Sequence, residues 1–364
     1  MSDTISFARG APSLDIVDVE GLKQAAVDAF DSDAAGTTAY GTAVGYLPLR
    51  EWIAEKHGVE TDQVLVTNGS MQADAFLFEL LVQQGNEVVV EKPTYDRTLL
   101  NLRNRGAQVH AVDLQPDGID TAALEELLAG EASPVLAHVI PNFQNPAGYT
   151  LSADKRAALL RLSAEHDFVL FEDDPYIDIR FEGEGLPTML SQDEAGKVVY
   201  ASSFSKTVCP GIRVGYLVGP AALIKQVQGL ATNTYISPNM VAQSIVNQFA
   251  RSGRMDAAVQ TVKDALRERR DTLVAALGEH LPEARFEAPS GGYFMWVDLP
   301  GEVVVAELET AAAERGVVFV KGSDFLLEGG ANSLRLAYSG VKADQIGEGI
   351  ERLADAVRSL GATA

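Results

Sequence analysis

The chain has 364 residues, about twice a usual domain of ~100–200 residues, so two lobes are expected. Hydrophobic residues make up 46 % and charged residues 22 %, a balance that supports a large core and excludes a disordered or collagen-like chain. The net charge of −22, from 51 acidic and 29 basic residues of which ten are Lys, repels phosphodiester backbones and argues against nucleic-acid binding.

In chain order, the first 35 residues read as a segment packed on a small lobe, because large-lobe patterning starts only near Tyr40. Short β-rich runs then alternate with helical patterns at 64–67, 87–91, 108–112, 135–140, 168–173, 197–202 and 214–219. Several are apolar on both faces, as strands between helices should be. The spacing predicts an α/β large lobe over 36–250, with a mainly parallel seven-stranded sheet sandwiched by helices. Ser70 opens a helix through QADAFLFELLV, and Ser152 is expected to cap another through KRAALLRLSAEH. After about Ala221 the pattern changes. A long helical stretch at 241–280 precedes strands near 293–299, 317–320 and 333–339, and 344–360 is helical again. Residues 251–364 therefore read as a smaller α+β lobe.

Several chemistries lack their signature. No G-x-G-x-x-G follows a strand, and neither a G-x-x-x-x-G-K-[ST] loop nor a G-x-S-x-G elbow occurs. The five histidines (His57, His110, His138, His166, His280) show no metal-ligand pairing and read as surface or core residues, so no metal is expected. The lone Cys209 excludes a disulfide framework and points to a reducing compartment. The start, MSDTISFARG, has no apolar core of a secretory signal, and no run approaches the ~18 apolar residues of a membrane span. A cytoplasmic protein without a membrane partner is expected. Its acidity suits high salt, where self-repulsion is screened, so the host is expected to be salt-adapted.

The informative segment is S-S-F-S-K-T-V-C-P-G-I-R-V-G-Y, residues 202–216. Lys206 leaves an apolar strand among small hydroxyl residues, where an amine can condense with a carbonyl. Ser203, Ser205 and Arg213 are suited to a phosphate. Taken alone, S-x-x-K reads as a surface lysine in a polar turn, but three more strand ends carry polar motifs. E-D-D-P-Y places Asp173 and Tyr176 at the carboxyl edge of the sheet, where open α/β sheets bind ligands. A carboxylate there can keep a pyridinium nitrogen protonated. P-N-F-Q-N-P-A-G puts Asn145 before Pro146 with its amide free for a ring oxygen. T-N-G-S-M-Q joins a strand to a helix whose first amides, at Ser70 and Met71, suit a phosphate. Tyr95, in K-P-T-Y-D, can stack on a flat ring, or can be a plain core tyrosine.

Together the N-P-x-G, D-x-P-Y, S-x-S-K and G-x-R-x-G motifs resemble, in order and spacing, the class I/II aminotransferases of pyridoxal-phosphate fold type I. The resemblance runs from about Phe7 to Tyr338. I-S-F-A-R-G-A-P and A-Y-G-T-A-V-G-Y-L-P-L-R are similar to the subgroup of 2-aminoadipate and kynurenine aminotransferases and the aminotransferase-like half of MocR regulators. Such a regulator would carry an N-terminal winged-helix domain, for which this chain is expected to have no room. The resemblance implies Lys206 as Schiff-base lysine and proton shuttle, Asp173 on the pyridine nitrogen, and Asn145 and Tyr176 on the ring oxygen. It implies Tyr95 stacked on the ring, with Ser70, the Met71 backbone, Ser203 and Arg213 on the phosphate. Relatives often have Gln at the Met71 position. Arg335 matches the arginine that grips the substrate α-carboxylate, Gly10 a small residue near the substrate, and Tyr40 a tyrosine that reaches the neighbouring subunit's phosphate. The expectation is a homodimeric transaminase that passes an amino group between an L-amino acid and a 2-oxo acid in ping-pong fashion. A β-lyase or decarboxylase on the same fold, and a non-catalytic sensing regulator, are the alternatives.

Overall fold

The computed structural model describes residues 4–301 and 303–361; residues 1–3, which belong to the expected N-terminal segment, and residues 302 and 362–364 of the expected small lobe lie outside the described residues. The strands before the lobe boundary are β1 (Ile5–Ser6), β2 (Val64–Thr67), β3 (Glu87–Lys92), β4 (Gln108–Gln115), β5 (Gly118–Ile119), β6 (Pro134–Val139), β7 (Val169–Asp173), β8 (Val198–Ser203) and β9 (Gly215–Val218). Those after it are β10 (Phe294–Asp298), β11 (Val317–Val318), β12 (Val320–Lys321) and β13 (Ser333–Ala337).

Strands β2 to β9 form one eight-stranded sheet in the order β2-β9-β8-β7-β6-β3-β4-β5. Only β9 and β5 run against their neighbours. The sheet therefore has one strand more than the seven expected. The extra strand, β5, is a two-residue return from β4, too short to leave a periodic signal. It begins at Gly118, whose φ of +121° suits a residue without Cβ. Strands β2, β8 and β9 are buried at every position, which explains their unbroken apolar runs. β4, near the sheet edge, mixes exposed Gln108, Asp113 and Gln115 with inward residues.

Two local expectations are corrected. Ser152 stands at the N-cap of helix Ala153–His166, but its side chain makes no capping bond. Its carbonyl instead accepts from the Arg156 amide. The long helix expected over 241–280 is two helices, Met240–Arg251 and Arg254–His280, broken where Gly253 turns left-handed at φ +77°.

In the small lobe β10, β13 and β12 form an antiparallel sheet, while β1 and β11 pair parallel as a separate two-stranded sheet. Ile346, Ile350, Leu353 and Val357 of helix Ala343–Ser359 face its core at helical spacing. Each such side chain, fully buried, stabilises by ~1.5–3 kcal/mol. Ile5, Phe7 and Ile16 belong to this core. The next helix of the N-terminal segment, Val19–Ser32, lies instead against helix Met240–Arg251. Its buried Gly21, Ala25 and Ala29 recur every four residues and let the two backbones approach closely. Ile140, Phe143, Tyr176 and Ile179, from loops at the carboxyl edge of the large sheet, also enter the small-lobe core. The two lobes thus meet over the carboxyl ends of β3, β6, β7 and β8.

Candidate active site

At that seam lies a cavity of about 500 Å³. Gly10, Ser70, Met71, Tyr95, Asn145, Asp173, Tyr176, Ser203, Lys206, Arg213 and Arg335 all line it. Tyr40 does not; it is 88 % exposed on the surface. The topology accounts for this convergence. β2, β3, β6, β7 and β8 run parallel and each releases its polar residues at the same edge, while antiparallel β9 starts there, just after Arg213.

One end of the cavity is rich in donors. The Ser205 amide bonds the Ser203 hydroxyl at 3.1 Å, and the Arg213 Nη1 donates to the Ser205 hydroxyl at 3.0 Å. Arg213 sits at φ +51°, at the end of the short turn Pro210–Ile212. A non-glycine residue there is strained. Opposite, helix Ser70–Leu81 begins directly after Gly69, at φ +88°. A Cβ on Gly69 would overlap the Arg213 guanidinium, and one on Gly215 would overlap the Gly69–Ser70 backbone. The glycines let strand, helix start and arginine close into one cradle, where free helix amides favour an anion.

Lys206 lies between this cradle and Arg335. Its Nζ donates to the Gly10 carbonyl at 2.5 Å and stands 5.5 Å and 5.4 Å from the Tyr176 and Tyr293 ring centres. Burial, helped by the positive charges of Arg335 and Arg213, pulls its pKa down to about 8. The Tyr293 hydroxyl donates to the Lys206 carbonyl at 2.7 Å and fixes the backbone that carries the amine.

Arg335, on β13, is buried with its guanidinium 4.4 Å from the Phe294 ring centre and 4.8 Å from that of Phe325. Nη1 donates to Asn145 Oδ1 at 2.8 Å and Nη2 to the Ala8 carbonyl at 2.7 Å, while Nε is buried with no partner among the described residues. The aromatic faces set the plane of the fork, and each Nη keeps a second hydrogen for a ligand. Asn145, whose peptide bond to Pro146 is cis, spends its oxygen on Arg335 and keeps its NH₂ for a ring oxygen.

At the far end Asp173 Oδ2 lies 3.4 Å from His138 Nε2, and Asp173 Oδ1 is buried without a partner among the described residues. Such an oxygen is costly unless a donor reaches it. Tyr176 is pushed well up, first by burial and then by Tyr95 and Asp173, so it is a neutral phenol. Tyr95, raised to about 12 mainly by burial, is neutral too. An anion cradle, a half-buried amine and an orphaned carboxylate oxygen, with two phenols between them, fit pyridoxal 5'-phosphate.

Sequence reasoning missed His138, Asp74, Phe294 and Phe325. The available signals were a lone His within the apolar run of β6 and an acid four residues after Ser70, beside the apolar run of the same helix. Nothing local marked the two phenylalanines, because they flank Arg335 only once the small lobe is folded. Among the described residues no cluster of His, Cys, Asp or Glu is arranged to hold a metal, and no helix is long and apolar enough to cross a membrane.

Residues 2–353 match the family model for aminotransferase class I and II. A 2-aminoadipate transaminase of Thermus thermophilus is 34 % identical, over 98 % of this chain and 90 % of that one. The solved structure of the α-aminoadipate aminotransferase of Thermus thermophilus, complexed with N-(5'-phosphopyridoxyl)-L-leucine, superposes with a TM-score of 0.94 at 31 % identity, covering 98 % of this chain and 92 % of that one. The kynurenine aminotransferase of Pyrococcus horikoshii, in complex with PMP, also gives 0.94 at 31 % identity, over 100 % and 93 % of the two chains. The chain belongs to the class I and II aminotransferases and is a pyridoxal-phosphate-dependent transaminase of fold type I.

Proposed function

We propose that Lys206 is the residue that holds the cofactor covalently and moves the substrate α-proton. The observation that carries this is its half-buried amine at the cavity wall, whose hydrogen bond goes to a neutral carbonyl and whose pKa is pulled down to about 8. An amine poised near working pH is a competent base. When bound, pyridoxal phosphate supplies an electron sink for the substrate Cα. Asp173 holds the ring nitrogen, Asn145 and Tyr176 the ring oxygen, and Tyr95 the ring face. Ser70, the Met71 amide, Ser203 and Arg213 take the phosphate. Arg335 takes the α-carboxylate of the amino acid or 2-oxo acid, beside Gly10. Lyase, decarboxylase and sensor readings draw no support beyond the shared fold.

The same reading divides the chain at 36–250 and 251–364. It makes the enzyme cytoplasmic and a homodimer in which Tyr40 completes the neighbouring site.

Borohydride reduction of the holoenzyme followed by peptide mapping tests the assignment. The pyridoxyl label is expected on Lys206, and Lys206→Ala is expected to lose both the label and at least ~10²-fold of turnover. A label on Lys197 or Lys225 would overturn it.

A further inference from the structure

Asp74 belongs to the site on grounds separate from any motif. It stands four residues after Ser70 on helix Ser70–Leu81, so the two share a face, and both line the cavity with Asp173. Asp74 is 5 % exposed, and its Oδ1 is buried with no hydrogen-bond partner among the described residues. Asp173 Oδ1 is in the same condition. Two residues that each carry an orphaned carboxyl oxygen therefore line one cavity.

We propose that Asp74 is a positioning residue of the ring-nitrogen end, a proton-bearing carboxyl that leaves Asp173 as the single negative charge facing the pyridine ring. This rests on the reading of Asp173 as partner of the ring nitrogen. Like charges held close in an apolar wall do not both ionise, and the one with less compensation keeps its proton. Asp173 has His138 Nε2 at 3.4 Å from its Oδ2, whereas no hydrogen-bond partner reaches Asp74 Oδ1 among the described residues. Burial, then the Asp173 charge, drive Asp74 well above the ordinary carboxyl range. The other charged or titratable groups lining the cavity are Tyr95, Asp96 and Arg97 around the start of the next helix, Tyr176, Lys206 and Arg213 from the large lobe, and Arg9, Asp324 and Arg335 from the small-lobe side. One carboxylate then matches one ring proton. A second ionised carboxyl would over-bind that proton and pull on Lys206, so Asp74 tunes the ring by staying neutral.

The test uses holoenzyme. Isotope-edited infrared spectra with carboxyl-labelled aspartate should show a protonated-acid band at neutral pH that is lost in Asp74→Asn. Asp174 is a second buried acid, so the band is read as the difference between wild type and variant. Reconstitution with ring-¹⁵N pyridoxal phosphate locates the group. The ring-nitrogen resonance should shift by more than its linewidth in Asp74→Leu, and less in the neutral near-isostere Asp74→Asn. A missing difference band, or a resonance unmoved in Asp74→Leu, overturns the proposal. If Asp74→Leu fails to fold, the infrared difference for Asp74→Asn still decides. Asp173→Asn separates the two readings. Should it leave the ring nitrogen protonated, the Asp173 assignment is wrong. Should it deprotonate the ring while the Asp74 variants change nothing, only the Asp74 proposal falls.

Discussion

Arg335 shows what single side chains contribute here. Its fork is clamped between Phe294 and Phe325 and pinned at both Nη atoms, so a carboxylate meets a preorganised pair of donors rather than a mobile charge. Arg335→Lys keeps the charge and loses the fork. A charged contact of this kind is worth ~1.5–3 kcal/mol, which corresponds to a drop of about ten- to a hundredfold in kcat/KM. Steady-state kinetics with amino acid and 2-oxo acid check it, and equal activity would mean that another group grips the α-carboxylate. At this scale the sequence was most legible where a motif adjoins a strand end, as with Lys206, Asp173 and Asn145. It was silent on Phe294 and Phe325, which gain their meaning only from a residue brought in by another strand. His138 was visible as a residue yet not as a neighbour of Asp173, because cross-strand pairing does not follow from local pattern.

At the scale of elements, the loop that carries Asn145 needs an anchor, and Glu91 at the end of β3 provides it. Its carboxylate accepts from Tyr149 Oη, from Gln144 Nε2 at 2.9 Å and from the Ile140 amide at 3.1 Å. Gln144 also donates to the Pro93 carbonyl at 2.9 Å. β3 and the loop after β6 are thus tied directly under the site. Burial outweighs those hydrogen bonds and lifts the Glu91 pKa from 4.5 to about 8. The folded state therefore binds a proton that the unfolded state releases. The stability due to this proton is fully present below pH 4.5 and is lost as pH rises through about 8. Glu91→Gln, which cannot titrate, should show a shallower fall in unfolding free energy over that window in urea melts at stepped pH. Parallel slopes for variant and wild type would show that Glu91 does not titrate there. The order of strands and helices was readable because buried parallel strands make continuous apolar runs. The two-residue β5 and the break at Gly253 were not, since neither alters hydrophobic periodicity over a window long enough to detect.

For the whole molecule, net charge and assembly set behaviour that no single site explains. With a charge of −22 and only ten lysines, self-repulsion opposes the compact state until salt screens it. Thermal melts from low to molar potassium chloride should move upward, and a flat or falling trend would refute salt adaptation while leaving the enzyme reading intact. Assembly turns on Tyr40. It is 88 % exposed and lies outside the cavity of its own chain, in a stretch broken by Gly36, Gly41 and Gly45. If it reaches the neighbouring phosphate across a two-fold axis, each site draws Lys206 from one chain and Tyr40 from the other. Tyr40→Ala and Lys206→Ala should then complement each other. In a mixed dimer, the site built on the Lys206→Ala chain also receives the truncated Tyr40, so both defects fall together. The other site keeps an intact lysine and an intact tyrosine. Random pairing makes half the dimers mixed, so about a quarter of the sites should regain transamination. Were Tyr40 to act within its own chain, every site would carry one defect and mixing would restore nothing. Co-refolding the two variants, confirming mixed dimers by mass and comparing the rate with unmixed controls decides between these arrangements.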